Sequence, residues 1–347
     1  MKVIFHIDLD AFFASVEEIY EPMLKNLPFV IAGEGKHAVI STCNYEARKY
    51  GIKSAMNVND ARKLCPDIAI VKPHHERYHQ HSQQFFTFLK YSFTDSLEIV
   101  SVDECFLDVT NILPKFHNNA QLLAITIQQE IQKKLGLSVS IGISESKFLA
   151  KIATDLKKPH GISSLHLKEI KTKLYPLKIE KFIGIGKKTL PKLKNLQIFT
   201  IGDFVHSSKL SELVKLLGRK YYQYYDLATG KNVDETLQIE ETLPKSVSKS
   251  LTLHTSEFEL DVLLKIYRNI ARNLSQELQS QKLVCQTVTI QIRYDNFDTK
   301  SKSKSLKHQF NDSSTIYQVA KDLLFELWND DPLRLVGLSL SKLNLVQ

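Results

Sequence analysis

The sequence predicts an α+β fold made of two sheet-bearing units with a basic helical segment between them, on three observations. First, Ile7-Asp8-Leu9-Asp10 and Ser101-Val102-Asp103-Glu104 each place carboxylates at the end of an apolar, strand-like run. Second, residues 3–156 read as one strand, then after a long insertion two strands, a helix, a strand and a helix. Third, residues 246–343 read as a second α+β unit: a long amphipathic helix, two strands, a second helix (Ile316–Trp328) and a last strand (Leu333–Leu340).

Residues 3–8 alternate toward Asp8, and Ala11–Tyr20 then reads as a helix. Asp10 stands where it either caps that helix or aids the ligands beside it. Phe29–Gly33 and Ala38–Thr42 read as two strands joined by a Gly-containing turn, and Asn44–Gly51 begins a short helix. Tyr78–Tyr91 is a further helix. Leu97–Val102 and Phe106–Val109 read as two strands meeting near Asp103-Glu104. Adjacent side chains on a regular strand face opposite ways, so these two share a site only if the backbone turns there; the expectation is a hairpin tip or bulge. Ala120–Leu135 (helix), Leu137–Ile143 (strand) and Lys147–Leu156 (helix) complete a ferredoxin-like core, into which 11–73 is inserted.

Buried carboxylates in a group are costly unless a cation neutralises them. Two divalent ions on such a cluster are the usual apparatus of phosphoryl and nucleotidyl transfer.

The net charge of +8 is uneven. Residues 1–164 are balanced, whereas 165–232 carry 14 Lys/Arg against 5 Asp/Glu, net +9. Such a segment is an electrostatic footprint for a polyanion. It contains Phe182-Ile183-Gly184-Ile185-Gly186-Lys187-Lys188, a Gly-x-Gly between short helices, which fits a helix-hairpin-helix that holds a DNA phosphate. A Walker A reading fails, because Lys181 and Lys188 stand where Gly and Ser/Thr are required. Asp234–Glu241 reads as an acidic linker.

In the C-terminal unit an amphipathic helix puts Leu260, Leu263, Leu264, Tyr267, Ile270, Ala271, Leu274 and Leu278 on one face. The next strand sends Val288, Ile290, Ile292 and Tyr294 one way and Thr287, Thr289, Gln291 and Arg293 the other. With the Lys300–Ser305 run, the expectation is an open polar face of Thr, Gln, Arg and Lys, suited either to a phosphate backbone or to protecting an exposed edge.

No apolar stretch approaches a membrane span, and the N-terminus lacks a signal-peptide layout. Cys43, Cys65, Cys105 and Cys285 have no CxxC spacing, so a reduced, cytoplasmic setting is expected. His75-Glu76-Arg77-Tyr78-His79 matches the zinc-protease HExxH, but its helix is polar where a zincin helix is apolar.

Taken together, the motifs resemble those of the Y-family DNA polymerases, in the DinB or DNA polymerase IV branch. Residues 7–17, Asn44–Gly51, Ser101–Asp108, Ser140–Ser144 with Lys151-Ile152-Ala153, and Lys158-Pro159-His160-Gly161 match that family's motifs in order. The resemblance implies a right hand: palm (1–10 and 74–164), small fingers (11–73), helical thumb with helix-hairpin-helix (165–232), linker (233–244) and a βαββαβ little finger (245–347). It implies template-directed, low-processivity DNA synthesis across lesions, without a proofreading exonuclease. Asp8, Asp103 and Glu104 correspond to the catalytic metal ligands for two Mg²⁺ ions, which Mn²⁺ can replace, with Leu9 giving only its carbonyl. Tyr45, Arg48 and Lys158 correspond to a triphosphate clamp, aided by Thr42 and the amides of Phe12 and Phe13. Phe13 matches the steric gate against a ribose 2′-OH, and Ser41 sits above the nascent base pair. Gly184, Gly186, Lys187, Lys188 and Arg293 are the expected DNA contacts. The expected partners of this monomer are primer-template DNA and a dNTP. The sliding clamp is a further partner in the family, but the usual C-terminal clamp peptide is absent from Leu338–Gln347. Against this reading stand a catalytically silent DNA-binding protein, disfavoured by the full set of carboxylates, and the protease already weighed.

Overall fold

β1 (Ile4–Leu9) is the strand on which the N-terminal unit is built, in a computed structural model that describes residues 2–33, 38–231, 237–238, 243–257 and 259–346. Its strict alternation decides the layers. Phe5, Ile7 and Leu9 enter one core, while Ile4, His6 and Asp8 take the opposite face. α1 (Phe12–Tyr20) follows, then β2 (Phe29–Ala32), β3 (Ile40–Cys43), α2 (Tyr45–Lys49), α3 (Val58–Leu64) and β4 (Ala69–Val71). The three strands form their own small sheet, β3-β2-β4, antiparallel then parallel. The expected turn between the first two falls on 34–37, outside the described residues. Asn44 caps α2 by accepting from the Ala47 amide, and its amide group ties back to the Leu27 carbonyl.

α4 (His75–Ser92), β5 (Leu97–Ile99), β6 (Glu104–Asp108), α5 (Ala120–Leu135), β7 (Val139–Ser144), α6 (Lys147–Leu156) and β8 (Ile162–Ser164) complete a five-stranded sheet, β5-β6-β1-β7-β8. α4 and α5 cover one face through Phe85, Leu89, Ile127 and Ile131. α6 lies on the other and approaches closely: a Cβ on Gly142 would meet the Ala150 carbonyl at 1.9 Å. The hairpin expected at Asp103-Glu104 is present. β5 stops at Ile99, earlier than Val102, because the Val100 and Ser101 amides both turn onto the Glu104 carbonyl.

The basic segment folds as α7 (Leu190–Asn195), α8 (Ile201–His206), α9 (Leu210–Leu217) and α10 (Lys220–Thr229) around Phe182, Leu193, Phe204 and Leu213. The element before the Gly-x-Gly is a single 3-10 turn, Ile179–Lys181, rather than a full helix. Asp234–Glu241 lies outside the described residues except for 237–238.

The chain divides into two compact units, Met1–Ile239 and Glu240–Gln347. In the second, β9 (Ser246–Glu257), α11 (Leu260–Ser280), β10 (Leu283–Tyr294), β11 (Thr299–Phe310), α12 (Ser313–Leu327) and β12 (Leu333–Ser341) give the expected βαββαβ order and a β11-β10-β12-β9 sheet. α11 and α12 bury Leu263, Tyr267, Leu274, Ile316 and Leu323 against Val288, Ile290 and Ile292. A final strand, β13 (Asn344–Leu345), pairs with the start of β10.

Candidate active site

The sheet brings the two acidic motifs side by side. Asp8 and Glu104 are direct partners across the β1–β6 ladder, and the Leu9 amide donates to the Asp103 carbonyl at 2.9 Å. Asp8, Leu9, Phe12, Phe13, Ser41, Thr42, Tyr45, Arg48, Asp103 and Lys158 line one cleft of about 290 Å³. Glu104 lies beside it, on the α6 face of the sheet.

Each carboxylate is held differently. Asp103 accepts from the Ser101 hydroxyl inside the turn. Asp8 is mostly buried, and that burial, with Asp103 and Glu104 adding repulsion, raises its pKa to about 6 against the pull of Lys158. The Lys158 ammonium sits 2.8 Å from Asp8 Oδ1 and 3.3 Å from Asp155. Burial opposes the charge on Lys158, but the two carboxylates outweigh it and raise its pKa. Glu104 falls to about 2, first through His6 and then through Lys151, whose ammonium bonds Oε2. His6 Nε2 faces Glu104 from 3.3 Å but out of line for a full hydrogen bond, so Lys151 is the stronger partner.

Among the described residues no three His, Cys, Asp or Glu side chains converge as a closed metal cage. The donors nevertheless suit a hard divalent cation. They are carboxylate oxygens, and two ammonium groups already supply the positive charge that Asp8 and Glu104 require.

The opposite wall comes from β3 and α2. The Arg48 guanidinium lies 4.5 Å over the Tyr45 ring, and its Nε donates to the Cys43 carbonyl at 3.3 Å. The Tyr45 hydroxyl is buried with no hydrogen-bond partner among the described residues, and burial pushes its pKa to about 12, so it remains an unused donor. Phe13 forms the floor, its ring stacked on Tyr78 at 4.1 Å.

Comparison with known proteins gives the arrangement its context. The impB/mucB/samB family model matches residues 7–155, its C-terminal domain 244–347, and the IMS family HHH motif 168–198. DNA polymerase IV of Ureaplasma parvum serovar 3 is 36% identical over 99% of this chain and 94% of its own length. DNA polymerase IV 1 of Bacillus subtilis is 37% identical over 97% and 81%. The solved Y-family DNA polymerase chimera Dbh-Dpo4(243-245)-Dbh is 29% identical, covers 99% of both chains and gives a TM-score of 0.87. An insertion ternary complex of Dbh DNA polymerase is 29% identical over 98% of both chains with a TM-score of 0.68.

The chain belongs to the Y-family DNA polymerases, DinB branch. It is a DNA-directed DNA polymerase of translesion synthesis, with the right-hand α+β fold of that family. Y-family polymerases use divalent metal ions.

For this polymerase one open alternative closes and one expectation requires correction. Asp10 does not cap α1. Ala11 precedes the helix in a left-handed conformation (φ 46°) with no side-chain cap, and Asp10 turns inward instead. Only 2% exposed, it accepts from Ser140 (2.7 Å), Ser138 (2.8 Å) and the His160 amide (2.8 Å), tying the loop that carries Lys158 to β1 and β7. Nor do Lys300, Lys302 and Lys304 of β11 lie on the open face of the C-terminal sheet. Lys300, Lys302 and Lys304 pair with the core residues Ile292, Ile290 and Val288, and so point toward the helices. Lys302 meets Glu326 at 2.7 Å and Lys304 meets Asp322 at 3.6 Å. The open face carries Ser301, Ser303, Ser305, Thr287, Thr289 and Gln291; Arg293, whose Nε donates to Thr299, shares it.

At the basic hairpin Gly184, Gly186, Lys187 and Lys188 are all exposed. Gly184 has φ 95° and its carbonyl accepts from Tyr224, whose ring leaves no room for a Cβ. The structure adds three residues around the cleft that sequence reasoning had not assigned: Ser54 in its lining, Lys151 on Glu104, and Tyr78 behind Phe13. Lys151 had a readable signal in the fourth matched motif, whereas Ser54 and Tyr78 had none.

Proposed function

We propose that the cleft is the nucleotidyl-transfer site, with Asp8, Asp103 and Glu104 holding two Mg²⁺ ions, replaceable by Mn²⁺, and the Leu9 carbonyl as a further ligand. Bound there, the ions lower the pKa of the primer 3′-hydroxyl and neutralise the leaving pyrophosphate. The chain's own residues do the rest. Tyr45 donates its hydroxyl to the dNTP triphosphate, with Thr42 and the Phe12 and Phe13 amides beside it. Arg48 supplies a planar fork and Lys158 a point charge. Lys158, which pairs with Asp8 here, would offer its ammonium to the triphosphate. Phe13 closes the floor against a ribose 2′-OH, and the small Ser41 leaves space over the base pair.

The domains follow as palm (1–10, 74–164), fingers (11–73), thumb (165–232), linker (233–244) and little finger (245–347). Primer-template DNA meets Gly184, Gly186, Lys187 and Lys188 of the thumb and Arg293 of the little finger. A monomer working in the cytoplasm fits this account, and among the described residues no helix is long and apolar enough to cross a membrane.

One observation carries the proposal: Tyr45, whose buried hydroxyl has no partner among the described residues, lines the cleft together with Asp8, Asp103 and the two cations Arg48 and Lys158. Primer extension with the purified chain, Mg²⁺ and dNTPs tests it, on an undamaged template and on one bearing a minor-groove guanine adduct. Short-burst extension on both supports the proposal. DNA binding without extension on either refutes it.

A further inference from the structure

Phe13 and Glu17 lie one helical turn apart on α1 and so share a face. Glu17 is fully buried, and a carboxylate there requires compensation. It has three donors, all from the start of α4 or the residue before it. The Tyr78 hydroxyl donates to Oε1 at 2.6 Å, His74 Nδ1 meets the same oxygen at 2.9 Å, and Arg77 donates to Oε2 at 3.0 Å. Tyr78 is itself only 2% exposed, and its ring lies flat on that of Phe13, 4.1 Å away at 11°. His75 meets both rings edge-on. The helix segment that matches HExxH in sequence therefore spends Arg77 and Tyr78 on this cluster.

We infer that Glu17, acting through Tyr78, is a positioning residue for sugar selection: it clamps the hydroxyl end of Tyr78 and so fixes the plane of the ring against which the gate rests. The inference rests on the reading of Phe13 as the steric gate. A gate discriminates by rigidity, because a ring free to tilt by a fraction of an ångström admits the extra oxygen. Stacking alone leaves Tyr78 free to slide in its plane. A hydroxyl held by a carboxylate that two other donors also hold removes that freedom. Burial and Glu17 both raise the Tyr78 pKa, so the phenol stays a donor.

The test measures single-nucleotide kcat/KM for dCTP and CTP opposite template dG with the full chain. Tyr78→Phe keeps the stack and removes only the clamp. Glu17→Gln leaves one acceptor oxygen where two are needed. Both variants are expected to lower the dCTP/CTP ratio roughly tenfold, mainly through faster CTP incorporation. Phe13→Ala is the reference and lowers the ratio further, and adding Tyr78→Phe to it has no additional effect. If Phe13→Ala lowers the ratio while Tyr78→Phe does not, or slows both nucleotides equally, Glu17 is a structural residue only and the inference falls while the gate stands. If Phe13→Ala leaves the ratio unchanged, the gate reading fails and takes the inference with it. Where Glu17→Gln does not fold, Tyr78→Phe decides.

Discussion

Replacing Asp10 by Asn separates a residue that builds the site from one that reacts in it. Asp10 Oδ2 accepts from Ser138 and from the His160 amide, and Oδ1 from Ser140. An asparagine oxygen can keep the first pair, but its NH₂ then confronts Ser140, whose oxygen also faces the Gly161 amide. One bond is reversed and the others lose their charge assistance. With each such bond contributing about 1.5–3 kcal/mol, the expected loss is about 3 kcal/mol. At about 2–4 °C per kcal/mol for a unit of this size, the melting temperature falls by roughly 6–12 °C. Calorimetry is the suitable probe, because the only tryptophan, Trp328, lies in the second unit. The His160 loop also carries Lys158, so dNTP KM rises several-fold while kcat changes little. An unchanged melting temperature with a collapsed kcat would refute the reasoning and make Asp10 a participant in the chemistry.

Tyr45→Phe removes the partnerless hydroxyl and leaves the ring under Arg48; it should raise dNTP KM about tenfold, read by steady-state extension, with stability unchanged or improved because a buried unpaired donor is gone. The paired replacement of Lys187 and Lys188 by Ala should flatten the dependence of log K for DNA on log salt, by up to about 0.9 for each phosphate that is no longer neutralised, and an unaltered slope rules out the hairpin as a phosphate site. Ser303→Ala on the open face of the C-terminal sheet should leave that slope unchanged, since no charge is removed.

Much of the site was readable because its chemistry is local in sequence. Asp103 and Glu104 are adjacent, and two neighbours serve one site only where the chain turns, so the hairpin followed from strand geometry alone. The order of the C-terminal unit from its first helix onward followed from the period-2 and helical patterns, and its first strand from the family resemblance. What could not be read is long-range or a matter of register. Asp10 looks like a cap because the helix begins beside it, and its real partners, Ser138, Ser140 and His160, lie far along the chain. The Lys-Ser alternation of β11 announces two faces, yet only the pairing of Lys302 with Ile290 decides which one is open. Glu17 reads as an ordinary helical charge until α4 packs against α1 and buries it among His74, Arg77 and Tyr78.

The most direct measurement compares Asp103→Ala with the unaltered chain for primer extension and DNA affinity on the same preparations, across a Mg²⁺ titration. The account predicts that extension is lost at every Mg²⁺ concentration while DNA affinity stays within about twofold, because in the proposed site Asp103 would hold the cations rather than the duplex. Robust extension by Asp103→Ala would contradict the assignment of the carboxylate cluster as the catalytic centre.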